Sequence, residues 1–331
     1  MANIYFPLWL AIFLTIFAAA LWGSWEIIIK YTKDYPVQGI VFFLYTFSFI
    51  LIWIATVLLK PVLMPDIGIF SFIGEHMNVS VRILLAGMLM TASMYTNLTI
   101  MKAIGLLLTT AISGAVGCVL GLVITVSQEG LPNIPNALTK LIICALIFIV
   151  AGLVSNLASS MRDKDLKKDK KKQTVTATLF ALMIAHSLLG TGWSIGTSAG
   201  TANSFPPVVT CALMVTGSFI GSIILCAIPF TVKHQWKEVL CIGRDKKPIL
   251  LCIIAALCHY GGNLISIYSM PEISATLSYL FGRSSSMWSV MWGLYFREFA
   301  GAKKRTFLVL ALGMLLYFFG LFYLGYIKYG H

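Results

Sequence analysis

The sequence predicts an all-α integral membrane fold, ten transmembrane helices arranged as two inverted five-helix repeats. Three observations carry that prediction: a composition too apolar for water, ten apolar windows of bilayer length, and a similarity between the two halves. Of 331 residues, 59% are hydrophobic and only 11% charged, where a soluble domain has roughly a quarter charged. At a mean hydropathy of +0.89 a globular core cannot absorb these side chains, because a water-facing surface would be paved with Phe, Leu and Ile. An ordinary soluble enzyme is excluded, and a bilayer is the remaining solvent.

About 20 apolar residues cover a hydrocarbon core of about 30 Å. β-Barrel strands would be half that length and alternating, so windows of this length are read as helices. The first, 6–29, contains Ala18, Ala19 and Ala20, a run resembling a signal-peptidase site. No basic stretch precedes it and apolar sequence continues to Ile29, so it is expected to persist as a membrane helix. The second to fifth windows are 37–59, 82–101, 106–127 and 138–157. The longest polar stretch, RDKDLKKDKKKQ at 162–173, follows and reads as a solvated charge run. The sixth to tenth windows are 175–199, 207–232, 248–270, 274–296 and 306–327. The expected division is a first repeat at 1–160, a basic cytoplasmic linker at 161–174 and a second repeat at 175–331. Pro206, Pro207 and Pro271 fall at helix boundaries. Gly117-x3-Gly121 and Gly217-x3-Gly221 are small-residue signals of close helix contact, within the chain or in a homodimer.

Lys and Arg number 24 against 12 Asp and Glu, a net charge of +12. The basic residues lie between apolar runs rather than in one patch, which favours a membrane protein over a nucleic-acid binder. With the N-terminus outside, the cytoplasmic loops hold two, one, seven, five and four of them, 19 of the 24. Lys60, Arg82, Lys140 and Lys328 fall outside and Arg283 within a window. Both termini are therefore expected on the non-cytoplasmic side of a plasma or cytoplasmic membrane. Seven Cys, without a CxxC or zinc-type spacing, read as reduced structural thiols.

The halves overlay at a shift of 166 residues. Ile83, Leu84 and Leu85 match Ile249, Leu250 and Leu251; Asn97 and Leu98 match Asn263 and Leu264; Ala145 and Leu146 match Ala311 and Leu312. Trp25 after Gly23 and Trp193 after Gly192 correspond at a shift of 168. The two asparagines in register are the most telling pair. Five helices cross a membrane an odd number of times, so the second copy enters from the opposite face and the repeat is inverted. Such symmetry lets one site open first to one face and then to the other, which implies transport by alternating access.

Ten helices in two inverted repeats resemble the drug/metabolite transporter superfamily, and within it the rhamnose–proton symporters, glucose/ribose uptake proteins and ureide permeases. FAAALWGSWEIIIK (17–30), YTNLTIMKAIGLLLTTAISGAVGCVLG (95–121) and LYFREFAGAKKRT (294–306) carry the resemblance. The last is similar to the acidic-basic exit of the ninth helix in the rhamnose symporters, with Glu298 at their acidic position. The basic run that follows their first helix is reduced here to Lys30 and Lys33, a departure that counts against rhamnose itself. The resemblance implies a proton-coupled sugar carrier.

Arg283 lies near the middle of the ninth window, followed by Ser284, Ser285 and Ser286. A charge there costs about 2.5–3.5 kcal/mol on insertion scales and more in simulations, so it must face a cavity or a partner, holding either a polar substrate or a helix-locking ion pair. Its counterpart at the shift of 166 is Gly117, so the symmetry is broken at this position. Glu26, flanked by Trp25 and Ile27, is a candidate proton carrier because desolvation favours a neutral carboxyl. Against this, Lys30 four residues on is spaced to pair with it. His186 and His259 are candidate proton relays or hydrogen-bonded packing elements. His259, Tyr260 and Asn263 form a polar cluster mirrored by Asn97, a set suited to hydroxyl or amide groups. Of the aromatics Trp22, Trp25, Trp193, Tyr279, Trp288 and Trp292, those most expected to stack on a ring are Trp25 and Trp193, beside glycines that would let a ligand approach the backbone.

The expected function is a secondary transporter, or permease, for a small polar metabolite, foremost a sugar, by proton-coupled alternating access. Trp25, Asn97, Trp193, His259, Tyr260, Asn263, Arg283 and Trp288 are expected to bind substrate; Glu26, His186 and His259 to couple protons. No metal or cofactor and no nucleic acid is expected; the partners are the solute, the proton, the lipid bilayer and a second copy of the chain. A ureide, nucleobase or nucleotide-sugar carrier and a non-transporting membrane sensor stay open as alternatives. A membrane enzyme is not expected: the loops offer only the scattered acids Asp66, Glu75, Glu129, Glu238 and Glu272, and no Walker sequence is present.

Overall fold

The computed structural model describes residues 6–32, 35–104, 106–166 and 176–329. Among them every regular element is helical, with no strand. The chain runs through α1 (Leu8–Trp25), α2 (Val37–Leu63), α3 (Met77–Ile104), α4 (Leu106–Glu129) and α5 (Ala137–Asp165). It continues as α6 (Ala177–Gly190), α7 (Gly192–Ala202), α8 (Pro207–Ser222), a π-helical turn at Ile223–Ala227, and α9 (Ile228–Val232). Then follow α10 (Lys247–Ile273), α11 (Ala275–Gly282), α12 (Ser285–Tyr295) and α13 (Lys304–Tyr329).

Proline opens three of the long helices, where its missing N–H costs nothing: Pro36 caps α2, Pro207 starts α8 and Pro248 lies in the first turn of α10. Ser274, at φ 94°, ends α10, and its hydroxyl accepts the Leu277 N–H to begin α11. Pro271, expected at a boundary, lies in the last turn of α10.

Among the described residues, eight helices are long and apolar enough to cross a membrane: Leu8–Trp25, Val37–Leu63, Met77–Met101, Ala137–Asp165, Ala177–Ala202, Pro207–Val232, Lys247–Ile273 and Lys304–Tyr329. The chain is an all-α, multi-pass membrane protein. Two of the ten expected windows are not among these eight. The fourth is helical over Leu106–Glu129, of which Gly114–Gln128 is the stretch counted among the described residues. The ninth breaks at Arg283–Ser284 into α11 and α12. Ser284 turns its hydroxyl onto the Phe281 carbonyl at 2.7 Å, the local competition that interrupts a helix.

Outward faces are apolar, as lipid requires: Leu58, Phe322 and Phe70 are each at least 70% exposed. Inside, α3 packs on α8, α1 on α10, α3 on α6 and α7, α2 on both α8 and α10, and α5 on α13. The α3–α8 crossing is backbone on backbone. A Cβ at Gly217 would overlap the Leu84 carbonyl, and one at Gly87 the Met214 carbonyl. Gly217 and Gly221 thus serve contact within the chain. One apolar core gathers Ile40, Tyr45, Met214 and Tyr260; a second gathers Leu141, Phe148, Leu280 and Tyr317.

The linker expected at 161–174 begins later than the sequence suggests, because α5 continues to Asp165. Arg162 is buried there. Its guanidinium donates to Asp163 and, at 3.0 Å, to Glu298, and lies 4.9 Å from the centroid of the Phe299 ring. Asp165 accepts the Thr306 hydroxyl at 2.6 Å and the Lys303 N–H at 2.9 Å. These bonds tie the end of α5 to the α12–α13 connection. The greater part of the expected linker, 167–174, and the side chain of Lys30 lie outside the described residues.

Candidate functional site

A cavity of about 280 Å³ opens in the middle of the helices, with walls from both halves of the chain. The first half contributes Trp22, Trp25 and Glu26 from α1 and the turn after it, Tyr45 from α2, and one face each of α3 and α4. The second contributes His186, Ser187, Gly190, Thr191 and Trp193 around the α6–α7 break, His259 and Asn263 from α10, and Tyr279, Gly282, Arg283, Ser285 and Ser286 around the α11–α12 break. The lining positions fall on single helical faces. Met90, Ser93, Met94 and Asn97 on α3, and Gly114, Gly117 and Gly121 on α4, recur at three- and four-residue steps.

The polar groups fall into two kinds. Some are committed to the scaffold. The Ser93 hydroxyl donates to the His186 carbonyl at 2.9 Å, so His186 Nδ1, 2.8 Å from the same oxygen, is the donor of that second bond. Trp22 Nε1 donates to Asn263 Oδ1 at 2.9 Å and lies 3.2 Å from the His259 carbonyl. Others are held without a partner. Asn263 Nδ2 and both ring nitrogens of His259 make no hydrogen bond among the described residues, although these residues are 2% and 6% exposed. A buried polar atom left unmatched costs about 1–3 kcal/mol, so such atoms on a cavity wall invite a ligand to complete them. The aromatic walls surround them: Trp25 lies 5.4 Å from the His259 ring, and Trp22 meets Trp193 edge to face at 5.6 Å.

Arg283 is the principal charge. Its guanidinium lies over the Tyr279 ring, 4.5 Å from the centroid, a stacking worth about 0.5–2 kcal/mol, and its Nε has no hydrogen-bond partner among the described residues. No carboxylate lies within ion-pair distance of it among the described residues. Tyr279 is itself fixed, donating its hydroxyl to the Gly117 carbonyl and lying against Gly121, where a Cβ would collide with its ring. A smaller cavity of about 80 Å³, lined by Cys118, Phe148, Ser286 and Tyr317 among others, also borders Arg283.

Glu26 sits in the turn that ends α1, beside the Ser289 hydroxyl. The expected pairing of Glu26 with Lys30 falls on a side chain outside the described residues.

Of the residues expected to form a site, Trp25, Glu26, Asn97, His186, Trp193, His259, Asn263 and Arg283 line this one cavity. Tyr260 and Trp288 do not. Tyr260 is 1% exposed, with its hydroxyl 2.7 Å from that of Ser218, on the face of α10 that meets α8. Trp288 packs on the apolar core of Leu141, Phe148 and Tyr317. The glycines beside Trp25 and Trp193 also differ from expectation. A Cβ at Gly23 would overlap the Ser285 carbonyl and one at Gly192 the Ala86 carbonyl, so both admit a neighbouring helix rather than a ligand. Ser93, Thr191, Tyr45 and the hydrogen-bonding role of Trp22 were not expected; small or polar residues recurring at three- and four-residue steps would have pointed to the first two. All seven cysteines are free thiols, and no group of three or more His, Cys, Asp or Glu among the described residues could hold a metal ion.

No protein-family model matches this sequence, and no curated protein matches it.

Proposed function

We propose that the protein is a secondary transporter that moves a small polar metabolite, foremost a sugar, by proton-coupled alternating access. One observation carries the reading: a polar cavity lies between the two halves, its wall including eight of the ten residues expected at a site and interrupted by helix breaks. At about 280 Å³ it sits just below the range of about 300–1,000 Å³ for drug-sized ligands, which suits a small solute. Unmatched Asn263 and His259 atoms offer hydrogen bonds to hydroxyl groups, and the tryptophans offer flat apolar walls. Glu26 is the proposed proton carrier, with His186 and His259 beside the same cavity.

The proposal includes ten membrane crossings in two inverted repeats, with both termini outside, and membership of the drug/metabolite transporter superfamily. The packing supports it. Exchanging each expected span with the one five places on carries α3 against α8 onto α10 against α2. The same exchange carries α1 against α10 onto α6 and α7 against α3, and leaves α5 against α13 unchanged as a pair. Gly117 and Arg283, which correspond at the shift of 166, face each other, with Arg283 Nη1 3.8 Å from where a Gly117 Cβ would stand. Residues related by a two-fold meet only near its axis, so the cavity lies where alternating access needs it.

The test is solute-induced pH change in proteoliposomes, screened with pentoses, hexoses, deoxyhexoses, allantoin and nucleobases, with Glu26→Gln as the paired variant. Alkalinisation outside the vesicles on adding one solute, absent in the variant, supports proton symport. Uptake without pH change would remove the coupling. No movement of any of these solutes, nor of hydroxylated carboxylates and phosphate esters, would refute transport and favour a membrane sensor.

A further inference from the structure

We infer that the transported solute is an anion, a small hydroxylated carboxylate or phosphate ester, whose charged group seats on Arg283 at the α11–α12 break. This rests on the transport reading and adds the charge of the substrate to it. The guanidinium borders two cavities and lies over a ring, with no carboxylate within ion-pair distance among the described residues. Its Nε is buried with no hydrogen bond among the described residues. A desolvated cation without a counter-charge is completed by an oxyanion, and the planar guanidinium fork matches carboxylate and phosphate oxygens alike.

Glu26 does not fill this role, although it lines the same cavity. It lies beside Ser289, four residues into α12 from Ser285, a rise of about 6 Å along a helix that begins only after Arg283. The guanidinium turns the other way, toward Tyr279. The two charges thus stand toward opposite ends of the cavity. Near the arginine, Ser285 and Ser286 open α12, an 11-residue helix whose first N–H groups face the break and favour negative charge. Further along the wall, Asn263 Nδ2 and the His259 ring, both more than nine-tenths buried and unmatched, are placed for the hydroxyl groups of the same molecule. The first half of the chain has Gly117 where the second has Arg283, so the cavity has one anion end and one orientation for the solute.

The experiment is uptake of labelled solutes by the full chain in proteoliposomes, comparing gluconate and galacturonate, then glycerol 3-phosphate and glucose 6-phosphate, with neutral glucose, galactose and allantoin. One anionic group is expected to be taken up at least about tenfold better than its neutral counterpart, as a charge-assisted pair gives, and the preferred group separates carboxylate from phosphate. Arg283→Gln is expected to abolish that preference and Arg283→Lys to retain part of it. If Arg283→Gln fails to reach the membrane, the preference of the unaltered protein decides alone. Equal or better uptake of neutral sugars, or an anion preference that survives in Arg283→Gln, overturns the inference and leaves transport standing. No uptake of any solute overturns both.

Discussion

Arg162→Ala is expected to loosen the joint between α5 and the α12–α13 connection without touching the cavity. Arg162 is 7% exposed in its side chain, and its partners Asp163 and Glu298 are 13% and 27% exposed. Its bonds to Asp163 are between neighbours in the chain and hold little tertiary structure. The bond to Glu298 spans 136 residues, and a hydrogen bond to a charged group contributes about 1.5–3 kcal/mol. Loss of the stack on Phe299 adds about 0.5–1 kcal/mol. The expected loss is therefore about 2–4 kcal/mol, short of the full penalty for a deeply buried pair because Glu298 is partly solvated. In a chain of this size each kcal/mol lowers the melting temperature by about 2 °C, so a fluorescence melt in detergent should fall by about 4–8 °C. Glu298→Gln, which keeps an acceptor for the Arg162 N–H, should lose less than half of that. Uptake per folded molecule should be unchanged in both. A melt within about 1 °C of the parent for Arg162→Ala, or loss of uptake in a stable Glu298→Gln, would refute the assignment of this pair to structure.

Gly217→Leu should be among the most damaging single changes outside the cavity, because its side chain would enter the Leu84 carbonyl at the α3–α8 crossing; overpacking of about 1–3 kcal/mol or more is expected, read as reduced melting temperature and membrane yield. Trp22→Phe keeps an aromatic ring but removes the donor to Asn263 Oδ1, leaving both amide atoms of Asn263 unmatched; solute affinity should change several-fold while stability falls by about 1–3 kcal/mol, and an unchanged affinity would take Asn263 out of the site. Tyr260→Phe should do the reverse, losing about 0.5–1.5 kcal/mol of stability with its bond to Ser218 and leaving uptake per folded molecule as it was.

Most of the candidate site was legible because bilayer-embedded polar residues are conspicuous. Arg283, Glu26, Asn97, Asn263 and the two histidines stand out in apolar runs for the same reason that they are costly there, and the structure gathers all of them around one cavity. Tyr260 was misplaced because it adjoins His259, and neighbours on a helix point about 100° apart. Both faces of α10 are buried, so hydropathy gave no sign of which one faces the cavity and which one α8. Gly23 and Gly192 show the same limit. Each marks a close approach, and only the neighbouring helix reveals that the approaching group is a carbonyl rather than a ligand.

By itself the sequence determined the solvent, the secondary structure and the approximate ends of the long helices, since each is a local sum: apolar length against bilayer thickness, with proline marking several starts. It also marked the ninth window as exceptional through one arginine and three serines. Only the tertiary structure decided that this window breaks at Arg283, that Arg283 lies apart from Glu26 in one shared cavity, and that Arg162 ties α5 to a segment more than 130 residues away. Those features depend on which helix faces which across long separations in the chain, and the rotation of a helix that is apolar all round is set by its neighbours rather than by its own residues.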